Sequence, residues 1–261
     1  MGAAGVVFLM YHELELPGRP LCQTEPGYVR YVVRMSDFRS HMELLKSSGW
    51  QGVSVGEAVR CFADKTVAIT FDDGSETDLL CAAPLLREFH CGGTFYITTG
   101  FLGKPGHLNH PQVRELDELG FEVGCHSMSH AYLTDLSAKD LHREVAEAKV
   151  QLEQILGRKV EHFSCPGGRY NRQVSLAAAE AGYKTVATSR IEMNSEASDR
   201  LCLGRVSIMR TTSLASFQRI YQGRNLRRMH FEVQLRSASR KLLGNSAYDR
   251  LRSALLRDQT S

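Results

Sequence analysis

Short apolar, β-branched runs alternate with amphipathic stretches through most of the chain. Val6–Tyr11, Val67–Phe71, Thr94–Thr98, Phe121–Cys125, His162–Cys165, Lys184–Ala187 and Val206–Met209 are mostly continuous rather than alternating. That is the pattern of strands covered on both faces. Helical patterns fall between them. Ser36 predicts an N-cap for Asp37–Ser48, with Gly49 as its stop. Leu79–Phe89 follows, and Pro111–Leu119 opens with a first-turn proline. Ser137, with Asp140 three residues on, resembles a capping box for Ala138–Leu156 ahead of Gly157. Arg172–Ala181 ends at Gly182, and Ser213–Gln222 closes the region. Alternation of this length predicts a parallel sheet, open or closed into a barrel.

The positions of the reactive side chains decide between the two. Tyr11-His12, Asp72-Asp73, His126 and Cys165-Pro166 all come just after the C-terminal ends of predicted strands. In a β/α barrel that end is the catalytic face. An open doubly wound sheet also binds ligands there, but four strands converging on one site favour a barrel. Leu14–Val29, with Pro17, Gly18, Pro20, Pro26 and Gly27, is a long connection leaving the first strand at that face. It reads either as a substrate-facing flap or as a surface excursion.

His126 and His130, four apart, predict two imidazoles on one face of a helical turn. Two imidazoles and one carboxylate are a good donor set for a single divalent metal with an open position. Asp72 and Asp73 sit where an apolar strand gives way to Gly74, whose free backbone lets both turn to one site. Two close carboxylates repel, which suits one binding metal and the other carrying a proton. Asp-Asp-Gly-Ser is also good turn chemistry, and H-x-x-x-H alone is a modest signal; joint occurrence is what points to a metal-dependent hydrolase. Ser164-Cys-Pro-Gly-Gly-Arg-Tyr170 makes a tight turn whose backbone N–H groups could hold an oxyanion.

Composition narrows the setting. The 261 residues are 43% hydrophobic and 23% charged, ordinary for one soluble domain with a small appendage. A net charge of +3 gives no reason to expect nucleic acid. The charge is uneven: residues 223–261 hold nine Lys/Arg against three Asp/Glu, and residues 1–222 hold 23 against 26. We therefore expect a barrel over 1–222 and a basic helical extension over 223–261, with Arg-rich helical stretches at Leu226–Leu243 and Ala247–Leu255. Those stretches suit either packing on the barrel or peripheral contact with an anionic membrane. Seven cysteines without C-x-x-C spacing, and no recognisable signal peptide, predict reduced thiols and a cytoplasmic location, at most peripheral at the inner membrane surface.

Thr70-Phe-Asp-Asp-Gly-Ser75 and His126-Ser-Met-Ser-His130 resemble the first two signature motifs of the polysaccharide deacetylase family, the NodB-homology or carbohydrate esterase family 4 domain. Gly93-Thr-Phe-Tyr-Ile97, Leu119–His126 and Phe163–Tyr170 agree, so the resemblance spans roughly residues 5–210. It implies a distorted β/α barrel and a divalent metal, often zinc, held by Asp73, His126 and His130. Asp72 would be the general base. Gly167, where the family usually has an aromatic residue, would offer its N–H to the oxyanion. The reaction implied is removal of an N-acetyl group from an N-acetylated amino sugar. The same scaffold could serve a deformylase or another small amide or ester hydrolase, or a metal-binding barrel without turnover.

Three departures stand out. Ser164 occupies the place where many members carry an arginine, the only tryptophan is Trp50, and the histidine of the fifth motif is missing, His230 lying in the basic tail. His12, closing the first strand, is the candidate substitute for protonating the leaving amine. His107 and His110 read as surface groups, with substrate contact as the alternative. Arg205, opening the last strand, could reach the site without an assignable role.

Overall fold

A computed structural model describes residues 5–231. These fall into two units divided after Arg224. Of the second, residues 226–231 are helical; the rest of the predicted Leu226–Leu243 and all of Ala247–Leu255 lie outside the described residues. Among the described residues no helix is long and apolar enough to cross a membrane.

Among the described residues the ten strands are β1 (Val7–Tyr11), β2 (Leu14–Glu15), β3 (Val33–Arg34), β4 (Gln51–Val53), β5 (Thr66–Phe71), β6 (Thr94–Ile97), β7 (Glu122–Cys125), β8 (His162–Ser164), β9 (Thr185–Ala187) and β10 (Val206–Ser207). β2 and β3 form a small pair of their own. The other eight form one all-parallel sheet in the order β10-β1-β5-β6-β7-β8-β9, with β4 also pairing with β5. β1 takes one edge of β5; β4 meets the other edge at residues 66–68 and β6 meets it at 70–71. Leu203, just before β10, bridges back to Ala187 on β9. The sheet thus curls round as a distorted β/α barrel, as the sequence predicts.

Strand parity sorts the side chains. Tyr11, Phe71 and Phe95 are register partners on β1, β5 and β6, and their rings stack outside the sheet at centroid distances of 5.3 and 5.1 Å. Thr70 and Asp72 flank Phe71 and therefore face the other way, into the barrel. The opposite end is plugged by Val55, Ala58, Val59 and Phe62, packed against Val6, Phe8, Ala68 and Tyr96. Burial of this apolar surface supplies the main driving force for closure.

Several sequence-based expectations need correction. The helix expected from Asp37 begins at Met35 and runs to Ser47; its N-cap is Arg34, not Ser36, because the chain passes straight from β3 into the helix. β4 and the helix Val55–Cys61 were not expected, although Ser54 and Glu57 form a reciprocal capping box. The helix after Ser137 is interrupted by a π-helical turn, Arg143–Glu147. The Leu14–Val29 connection is partly regular, holding β2 and the short helix Pro26–Val29.

Candidate metal centre

β5 ends at Phe71, and Asp72 continues its direction, donating its N–H to Tyr11 O (3.0 Å). Asp73 would face away in a regular strand. Instead it adopts a left-handed backbone (φ 79°), followed by Gly74 at φ 79°, so both carboxylates turn toward one place. Gly74 alone was expected to provide that freedom; Asp73 shares it.

His126 and His130 do not lie on a helical turn, which corrects the sequence reading. Residues 126–130 form an irregular loop after β7, with Ser127 at φ 66° and His130 at φ 63°. The loop still brings the rings together, with centroids 5.1 Å apart. His126 Nε2 is 3.5 Å and His130 Nε2 3.4 Å from Asp73 Oδ1.

The protonation of these groups follows from their partners. His126 Nδ1 lies 2.9 Å from Ser164 O, which can only accept, so Nδ1 carries the hydrogen and Nε2 a lone pair. Burial lowers the His126 pKa to about 3, keeping the ring neutral, and lowers that of His130 as well. Asp73 Oδ1 is buried and accepts no hydrogen bond, and burial raises its pKa to about 6. A buried acceptor facing the two imidazole nitrogens lacks a positive partner. One divalent cation would satisfy all three, and this is the one trio of metal-capable side chains found within 4.8 Å among the described residues. Asp73, His126 and His130 therefore fit the expected metal.

Asp72 is held differently. Its Oδ1 accepts from Arg205 Nη1 (2.7 Å) and its Oδ2 from Arg205 Nη2 (2.8 Å) and Ser164 Oγ (3.2 Å). Burial alone would push its pKa up, but the Arg205 guanidinium outweighs burial and holds the carboxyl ionised, well below the usual carboxylate range. Oδ2 lies 3.8 Å from His126 Nε2, beside the metal trio. Arg205 itself uses five N–H bonds: the two to Asp72 and others to Thr70 Oγ1, Ser164 Oγ and Thr188 O. The sequence offered Arg205 no role; the barrel gives it one.

His12 follows β1, half-buried, with its ring 5.0 Å from Tyr31 and its Nδ1 buried without a partner. Gly167 lies in the turn Pro166–Gly168 with φ 60°. A Cβ there would meet the Tyr132 ring at 2.8 Å. Tyr132, 48% exposed, thus covers the place of a side chain at 167, and the Arg169 guanidinium sits 3.8 Å from its ring centroid. His107 packs on Phe101, which in turn lies 6.0 Å from His130, so the loop carrying His107 borders the site. All seven cysteines are free thiols.

A profile of the polysaccharide deacetylase family matches residues 60–186. The chain resembles that family over this segment, just under half of its length, and its barrel is of the NodB-homology type. It is 33% identical over 124 residues to the peptidoglycan-N-acetylglucosamine deacetylase of Bacillus cereus, covering 47% of this chain and 56% of that protein. It is 27% identical over 191 residues to YxkH of Bacillus subtilis, covering 71% of this chain and 68% of that protein. Among solved structures, the Streptococcus pyogenes deacetylase PplD in complex with acetate superposes with a TM-score of 0.74 at 24% identity, covering 84% of this chain and 99% of that one. IcaB from Ammonifex degensii superposes at 0.71 with 22% identity, covering 84% and 96%. At these identities the structural likeness establishes the fold.

Proposed function

We propose that this chain is a metal-dependent hydrolase that removes the N-acetyl group from an N-acetylated amino sugar in a polysaccharide or its lipid-linked precursor. One observation carries the reading: adjacent carboxylates with opposite environments. Asp73 faces two neutral imidazoles, while Asp72 is clamped and ionised beside them. Asp73, His126 and His130 would hold the ion, and zinc suits that donor set. Bound there, a divalent metal polarises the acetamide carbonyl and makes a water acidic.

The chain's own groups do the rest. Asp72 accepts the proton of the attacking water as its oxygen joins the acetyl carbon. The Gly167 N–H meets the negative oxygen of the tetrahedral centre. His12 gives a proton to the amine nitrogen as the C–N bond breaks. Water is added across the amide, and the products are acetate and a free amine. A barrel that only bound metal would have no use for a buried carboxylate kept ionised next to the ion.

Acetate release from N-acetylated chito-oligosaccharides and from peptidoglycan fragments tests the reading. We expect release that a chelator abolishes and added zinc restores. Asp72→Asn should lower it at least about 100-fold, the scale of general-base catalysis, with metal content unchanged. No acetate from any acetylated saccharide by the zinc-loaded chain would reject the deacetylase reading. Faster cleavage of an N-formyl analogue would move it to deformylation.

A further inference from the structure

We infer that Glu144 is a positioning residue for the metal centre: its carboxylate holds the backbone between His126 and His130 in the shape that brings both Nε2 atoms to Asp73. The inference rests on the metal-centre reading above. Glu144 is 5% exposed and lies in the π-helical turn Arg143–Glu147, on an element separate from the loop it touches. Its Oε2 accepts the N–H groups of Met128 (3.0 Å) and Ser129 (2.8 Å), and its Oε1 accepts the Ser129 hydroxyl (2.6 Å).

The loop needs such a hold. Ser127 and His130 both have positive φ, a conformation that persists in non-glycine residues only where the surroundings impose it. From the β6 side, Thr99 N–H donates to Ser127 O (3.1 Å) and Gly100 N–H to Met128 O (2.7 Å). Within the loop, His130 N–H donates to Ser127 Oγ (3.1 Å). Two of the central N–H groups, those of Met128 and Ser129, both converge on Glu144. Three donors meeting one side chain call for an acceptor-only group, and an ionised carboxylate is one. The π turn adds a residue to the helix at the place where Glu144 leaves it. Such turns are frequent at functional sites. Glu144 is not one of the three grouped ligand side chains, yet its bonds fix the spacing of the two imidazoles.

Co²⁺ titration into the metal-stripped full chain tests this, reading affinity from the titration and ligand geometry from the visible bands. Thermal unfolding of the metal-free proteins reports the fold separately. Glu144→Ala is expected to weaken Co²⁺ binding by about 10–100-fold and to change the bands, the usual effect of losing a partner that orients a ligand. Glu144→Gln keeps an acceptor for the two N–H groups and should lose less. Ser129→Ala removes only the Oε1 contact and should lose about threefold. Glu144→Ala that binds within twofold of the parent with the parent's bands overturns the inference, whatever its unfolding temperature. If Glu144→Ala does not fold, Glu144→Gln and Ser129→Ala decide, and both within twofold of the parent overturn it. A parent chain that binds no Co²⁺ would remove the metal centre itself, and the role of Glu144 with it.

Discussion

Arg205→Met separates the role of the buried guanidinium from simple packing. The substitution keeps an unbranched stem of similar length and removes the five N–H bonds to Asp72, Thr70, Ser164 and Thr188. Asp72 is then a carboxylate, 2% exposed, with no counter-ion. Removing one partner of a buried ion pair costs about 3–5 kcal/mol, because the other charge is left uncompensated. For a chain of this size that lowers the unfolding midpoint by on the order of 10 °C. The measurements are thermal and chemical unfolding of the metal-free protein, so that no ion compensates Asp72. Asp72→Asn/Arg205→Met removes both charges and should recover most of the loss, giving a coupling energy of about 2 kcal/mol or more. Turnover should fall at least as far as in Asp72→Asn. The companion variant Ser164→Arg/Arg205→Ser offers a guanidinium from β8, where Ser164 Oγ already lies 3.2 Å from Asp72 Oδ2, and should restore part of both. The reasoning fails if Arg205→Met costs under about 1 kcal/mol, or if the two single changes are simply additive.

His12→Ala should leave metal content intact and cut acetate release at least about 100-fold, the contribution of a positioned general acid; a change of only a few-fold would remove His12 from that role. A separate prediction concerns pH. His41 is buried, hydrogen-bonded through Nδ1 to Tyr11 Oη (3.1 Å) and stacked on Phe217 at 4.0 Å, and burial lowers its pKa to about 4. Between about 6.5 and 4 the unfolded chain takes up a proton that the folded chain refuses, so this contribution to stability is lost as pH falls through that window. The full difference is roughly 3 kcal/mol. Urea midpoints at pH 7 and pH 4.5, compared with His41→Phe, should show a smaller acid loss in the variant; equal losses would refute the assignment.

The strands of the barrel were legible because each is a continuous apolar run, covered on both faces. The seven expected strands all form, within a residue or two at their ends. What escaped was short or set by tertiary contact. β4 has three residues, one of them exposed. β2 and β3 have two each and exist because they pair with each other. The helix from Met35 starts where β3 ends, so the cap chemistry at Ser36 is overridden by the path of the chain. The interruption at Arg143–Glu147 has no signature in the apolar spacing; it lies where Glu144 meets the loop at 128–129.

The site divides along the same line. Asp72, Asp73, His126 and His130 were legible because each pair is local and follows a strand end. Spacing suggested a helical turn for the histidines; the bonds from Thr99, Gly100, Ser127 and Glu144 impose a left-handed loop instead, and the ligand set survives the change. Arg205 stands 133 residues from Asp72 and meets it only because β10 pairs with β1 and β1 with β5. Inside a closed barrel a charge can be supplied to one carboxylate from any strand that faces the centre. Ser164 on β8 and Arg205 ahead of β10 approach Asp72 from different strands and bond to each other at 2.7 Å. An arginine absent from one expected position therefore says nothing against an ionised Asp72, because the barrel constrains where the guanidinium arrives and leaves open which strand delivers it.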